Sequence, residues 1–192
     1  FYTLNGAVKL HRALEEWNGG HLVVHITEMP IKCPVAPLEF AFLAESYFHE
    51  RGMSDKVKIT FVTPMDGAFT KPVASDQLGH LLKDKGIEVV PNFNVMEIDY
   101  EGKEVSYDLL VTVPTNKGAE YVERSGFGDE LNFVPTHKGT LQSKVKDNIF
   151  CIGDATNIPA SKAGSVAHFE GEILMENVKR FIEGRELKDE FD

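Results

Sequence analysis

The sequence predicts an α/β protein: a Rossmann-like parallel sheet flanked by helices, with a β-hairpin or meander and part of a second domain. Three observations carry this. Between His21 and Val90, short apolar strands alternate with helix-length amphipathic runs, the β-α-β-α-β order of parallel sheets with right-handed crossovers. Glycine or proline punctuates the junctions, at Gly19-Gly20, Pro34, Gly52, Pro64 and Gly86. The composition is that of a globular chain, with 192 residues, 42% hydrophobic and 26% charged.

Each element has its own signal. Ala7, Val8, Leu10, Leu14 and Trp17 share helical spacing, so a helix is expected over Gly6 to Trp17. Asn18-Gly19-Gly20 stops it, with glycine as a left-handed cap. His21 to Ile26 reads as a buried strand, and a proline-containing loop, Met29 to Pro34, follows. Ala36 to Arg51 is a second helix, closed by Gly52. Lys56 to Thr63 alternates as a strand ending in Thr63-Pro64. Ser75 to Lys85 is the third helix, capped by Gly86, and Ile87 to Val90 the third strand. Asn94 to Asp99 and Glu104 to Tyr107 flank Tyr100-Glu101-Gly102-Lys103 as a β-hairpin. Asp108 to Val113 returns as a strand. Beyond it lie a short helix, Gly118 to Ser125, an irregular stretch, a strand at Asn148 to Ile152 and a last helix from Gly164 to about Gly184.

Charge and cysteine content narrow the function. There are 20 basic and 30 acidic residues, a net charge of -10, and no basic stripe, which excludes nucleic acid as the expected partner. No apolar run approaches the roughly 18–20 residues of a bilayer span. Cys33 and Cys151 make no disulfide framework and fit a reducing compartment. His21, His25, His80, His137 and His168 are read as scattered surface or core histidines with no cysteine paired to them at ligand spacing, so no metal site is expected. The chain opens Phe1-Tyr2-Thr3-Leu4 without Met or a signal peptide, so it is expected to be an internal piece of a longer protein.

A dinucleotide cradle needs glycines at the first strand-to-helix turn, where the backbone approaches a pyrophosphate. Here that turn, Thr27 to Pro37, has three prolines, a thiol and no glycine. Cys33, just ahead of a helix and beside Lys32, is placed where positive charge favours a thiolate. Glu39 could serve as a nearby acid or base. The alternative is a packing cysteine with a solvated helix-start carboxylate.

The second informative segment is Asn148 to Thr156. An apolar strand ending in Gly153-Asp154 puts a carboxylate at a strand C-terminus, where α/β folds bind ligands. Ser161-Lys162-Ala163-Gly164-Ser165 then opens a helix whose free N–H groups offer a second polar edge.

Together, Cys33-Pro34-Val35-Ala36-Pro37-Leu38-Glu39, the strand ending Phe61-Val62-Thr63-Pro64, Asn148 to Thr156 and Ser161 to Phe169 resemble the sulfide:quinone oxidoreductases and flavocytochrome c sulfide dehydrogenases. These are flavoproteins of the two-dinucleotide-binding-domain (pyridine nucleotide-disulfide oxidoreductase) superfamily. The resemblance implies that Cys33 is a redox cysteine facing the flavin and that Glu39 moves protons. It implies FAD as cofactor, with Gly153 and Asp154 at its ribityl and phosphate region and Lys162, Ala163 and Gly164 beside the isoalloxazine edge. Sulfide and a quinone are the implied reactants. The implied location is cytoplasmic or peripheral to the cell membrane, with membrane association through segments outside this sequence and a homo-oligomer among the expected partners.

Against the family pattern, the 192 residues lack the N-terminal G-x-G-x-x-G, the partner cysteine and the C-terminal amphipathic segment. Cys151, on a strand before Gly153, is read as core filler. The expected division is a connector helix over 1–19, a nicotinamide-type domain over 20–113 and a returning part of the FAD domain over 114–192. The piece alone is expected to be inactive and to retain no FAD. Two further readings stand beside this one. One is an NAD(P)H-dependent flavoprotein like type II NADH dehydrogenase, which the glycine-free turn disfavours. The other is a non-catalytic Rossmann-like interaction module.

Overall fold

Four parallel strands form the sheet of the first of two units, in the order β3-β2-β1-β4. The computed structural model describes residues 3–94 and 105–189. The strands are β1 (Gly20–Ile26), β2 (Val57–Val62), β3 (Glu88–Val90) and β4 (Leu109–Val113), and the helices of this unit are α1 (Leu4–Glu16), α2 (Ala36–Glu50) and α3 (Pro72–Asp84). This is the α/β class and parallel order that the alternating pattern predicts. The expected hairpin, Asn94 to Asp99 against Glu104 to Tyr107, lies in the main outside the described residues.

Strand alternation decides the core. Leu22, Val24 and Ile26 point to one face, and the register sets Leu22 beside Ile59 and Val24 between Phe61 and Val111, all buried. On the opposite face stand His21 and His25 of β1, with Thr60 of β2 and Thr112 of β4. His21 pairs with the Thr60 hydroxyl at 2.7 Å, and His25 Nδ1 with that of Thr112 at 3.1 Å. Helix α2 buries Leu38, Ala41, Ala44 and Phe48, and Phe48 meets Trp17 edge to face at 5.3 Å. Arg51 donates to the carbonyls of Leu14 and Glu15, tying the end of α2 to the end of α1.

Two local expectations change. Helix α3 begins at Pro72, three residues before the expected start, because proline at the first helical position arrives with a helical φ and gives up an N–H that the helix does not need. Helix α1 ends at Glu16 with Trp17 as an extended C-cap, so Gly19 and Gly20, at positive φ angles of 123° and 127°, lie beyond the cap rather than forming it. A Cβ on Gly20 would come within 2.5 Å of Asp108 Oδ2, and that same oxygen accepts the His21 N–H at 2.7 Å. The glycine is therefore there so that the start of β1 can close onto the carboxylate that precedes β4.

The second unit contains residues Glu28–Ala36 and Pro114–Asp192. Its helices are α4 (Glu120–Arg124) and α5 (Gly164–Ile182), with a 3-10 turn at Gly153–Ala155. The strand expected at Asn148 to Ile152 is not a strand. It pairs with 141–143 through Ser143 N to Ile149 O (2.8 Å) and Cys151 N to Leu141 O (3.0 Å), with a single bridge at Gln142–Phe150. A ladder needs matched N–H and C=O groups over successive residues, and an apolar run alone does not supply the neighbour. Ile31, Val122, Phe133, Val134, Leu141 and Ile158 are buried here beside polar Asn116, Thr156, Lys162, Glu170 and Asn177.

Candidate functional site

The loop carrying Cys33 groups with the second unit rather than with the strand before it or the helix after it. Two consecutive amides set its place. Lys32 N–H donates to Asn116 Oδ1 at 2.5 Å, and Cys33 N–H donates to the Lys162 carbonyl at 2.7 Å. Lys32 and Lys162 form a parallel bridge, so the loop is paired for one step with the segment leading into α5. Cys33 itself is exposed and sits at φ 52°, in the left-handed region that side chains rarely occupy. Its carbonyl accepts from Ala36 N at 2.9 Å, closing the turn that enters α2.

Gly153 lies at φ 60°, and a Cβ there would stand 3.1 Å from the Ala167 methyl on α5. Its N–H donates to Glu170 Oε2 at 2.5 Å. Asp154 follows with a half-exposed carboxylate, 3.8 Å from Lys32 Nζ. At that distance and exposure the pair adds about 0–1 kcal/mol, so the carboxylate is left able to accept from a ligand hydroxyl.

Lys162 behaves differently from an exposed ligand-binding lysine. It is 8% exposed, donates to the Thr156 carbonyl at 2.6 Å and lies 4.5 Å from the Phe133 ring centroid. Burial pushes its ammonium below the usual lysine range, with Asp154 and Glu170 acting in the opposite sense. Ala163 is the N-cap of α5 without a side-chain cap bond, so no cap side chain covers the first-turn N–H groups after Gly164.

The fold thus brings Cys33, Asp154 and Lys162 into one unit, with Gly153, Ala163 and Gly164 adjoining them in the chain. Glu39 is exposed in the first turn of α2 and belongs to the first unit. Cys151 is half-buried, and burial raises its thiol above the ordinary cysteine range. No group of three or more His, Cys, Asp or Glu among the described residues could hold a metal ion. Asn116, Phe133 and Glu170 escaped the sequence reading. Of these only Phe133 had a signal, in the mixed-polarity stretch Phe127 to Thr136.

No protein-family model matches the chain. The mitochondrial sulfide:quinone oxidoreductase of Mus musculus is 27% identical over 187 residues, 90% of this chain and 42% of that protein. The X-ray structure of the sulfide:quinone oxidoreductase from the hyperthermophilic bacterium Aquifex aeolicus superposes with a TM-score of 0.78 at 21% identity, over 94% of this chain and 48% of that one. A chain of the Tetrahymena thermophila mitochondrial ATP synthase superposes with a TM-score of 0.70 at 22% identity, over 96% of this chain and 48% of that one. The chain spans less than half the length of the curated relatives it matches. Its resemblance to the sulfide:quinone oxidoreductases extends along nearly the whole of its own length.

Proposed function

We propose that this chain is part of an FAD-dependent oxidoreductase of the sulfide:quinone oxidoreductase kind, taking two electrons from sulfide through Cys33 and passing them to a quinone. One observation carries the reading. The exposed Cys33 is hydrogen-bonded to Lys162, and Lys32 beside it reaches the Asp154 carboxylate. A candidate redox thiol and the candidate flavin-binding segment are thus one assembly.

The residues present fit the cofactor. Gly153 allows close backbone approach, Asp154 can accept from ribityl hydroxyls, and the start of α5 at Ala163 and Gly164 offers N–H groups to phosphate or ring oxygens. Lys162 supports that edge from beneath through Thr156 and Phe133. When bound, FAD supplies the two-electron relay between sulfur and acceptor. Lys32, half-exposed beside Cys33, attracts hydrosulfide. The anion attacks the Cys33 sulfur of a disulfide to a second cysteine of the full-length protein. The new S–S bond forms as the old one breaks, the second cysteine leaves as a thiolate carrying the electron pair, and the persulfide proton goes to solvent. A lipid-soluble quinone acceptor places the protein at a membrane surface. No helix among the described residues is long and apolar enough to cross one.

The test is anaerobic titration of the purified full-length protein with sulfide. Bleaching of a flavin spectrum is expected, Cys33→Ser should keep the flavin but lose the bleaching, and Asp154→Ala should lose the flavin. A colourless or sulfide-insensitive protein overturns the reading. The 192 residues alone are expected to hold no FAD tightly and to turn nothing over.

A second reading is a non-catalytic Rossmann-like interaction module; its support is that a chain of similar fold is found within the Tetrahymena mitochondrial ATP synthase. It predicts a protein that purifies within a larger complex and carries no sulfide-reducible flavin.

A further inference from the structure

Resting on the reading of Cys33 as the reactive thiol, we propose that Asn116 is a positioning residue for it, a side-chain clamp that holds the Cys33 loop in its left-handed turn. Asn116 is 8% exposed, and both ends of its amide are engaged. Oδ1 accepts the Lys32 N–H at 2.5 Å, and Nδ2 donates to the Pro114 carbonyl at 3.3 Å. It therefore fastens residue 32 to the stretch just after β4. The Lys162 carbonyl fastens residue 33 to the stretch just before α5, at 2.7 Å.

The second of these residues, Cys33, holds φ 52° without being glycine. Such a conformation persists only where the surroundings over-determine it. A turn at Cys33 alone could relax toward the ordinary right-handed region. Held on consecutive amides from two directions, it keeps its thiol in one place. The Lys162 anchor is a backbone carbonyl and does not depend on side-chain identity, so the side-chain control of the geometry falls to Asn116. Asn116 does not touch the reacting sulfur and acts through the Lys32 peptide.

Amide hydrogen exchange at single-residue resolution on the purified full-length protein tests this. In Asn116→Leu the Lys32 and Cys33 amides are expected to exchange at least about fivefold faster, the effect of losing one ordinary hydrogen bond. Asn116→Asp keeps the acceptor oxygen for Lys32 but gives up the donation to Pro114, so its Lys32 rate should fall between those of the parent and the Leu variant. Iodoacetamide alkylation of Cys33 should change at least threefold in the Leu variant, with the rate at Cys151 unchanged. Asn116→Ser, polar but too short to reach Lys32, serves in place of Leu if that protein does not fold. Exchange within twofold of the parent, or an Asp variant as fast as Leu, overturns the clamp. These measurements need no turnover. A flavin that ignores sulfide overturns the proposed function and leaves the clamp standing, and unchanged exchange does the reverse.

Discussion

Gly153 donates its N–H to Oε2 of Glu170, so a carboxylate buried on α5 holds the glycine that precedes Asp154. Glu170 is 1% exposed, an uncommon place for an acid. Replacing it by Ala leaves the Gly153 donor without that acceptor, at a cost of about 1–3 kcal/mol. Glu170→Gln retains an oxygen in reach and should lose less. Urea unfolding midpoints decide this, and equal losses in both variants would refute the hydrogen bond as the cause.

The two cysteines should separate cleanly by reactivity. Cys33 is exposed, whereas Cys151 is half-buried with its thiol raised by burial. Thiolate is the reacting form, so Cys151 is short of it at neutral pH and gains it as pH rises. Mass spectrometry after brief maleimide treatment at pH 7 should find the label at Cys33 by at least about tenfold. The ratio should narrow toward pH 10. Equal labelling at pH 7 would contradict the described burial.

His25 ties stability to pH. Burial lowers its pKa in the folded protein, so the unfolded chain binds the proton more readily. The contribution is fully present above the ordinary histidine value of about 6.5 and is lost as pH falls below it toward the lowered folded value. His25→Gln should therefore reduce the drop in melting temperature between pH 7.5 and pH 5.5, measured by calorimetry against the parent. An unchanged drop would count against it.

Gly20 should tolerate no side chain. Gly20→Ala places a methyl within 2.5 Å of Asp108 Oδ2 at a φ of 127°, so the Asp108 bond to His21 must stretch or break. A loss of about 1–3 kcal/mol is expected from strain and the disturbed bond. Thermal unfolding reads it, and Gly52→Ala serves as the comparison, since a Cβ there meets no atom within 4 Å although its φ is also positive.

Much of the first unit was legible because its elements are local. The spacing of Leu38, Ala41, Ala44 and Phe48 makes a helix, and the alternation in β1 and β2 makes strands, before any long-range contact is known. Gly153-Asp154 was legible as a place where backbone and carboxylate could meet a ligand. Asn116 and Glu170 were not, since a buried amide and a buried acid look in sequence like any surface residue. The apolar run at Asn148 to Ile152 misled, because hydrophobicity does not supply matched N–H and C=O groups over successive residues, and against 141–143 the run makes a single bridge at Gln142–Phe150.

By itself, then, the sequence determined the α/β class, the parallel run of strands and the chemistry available at Cys33, Asp154 and Lys162. Those follow from periodicity and side-chain type, which belong to each segment alone. Only the tertiary structure decided that the Cys33 loop groups with the second unit, that Lys162 turns inward to Thr156 and Phe133, and that Asn116 holds Lys32. These depend on which distant N–H and C=O groups satisfy one another once water is excluded, and no local pattern encodes that pairing.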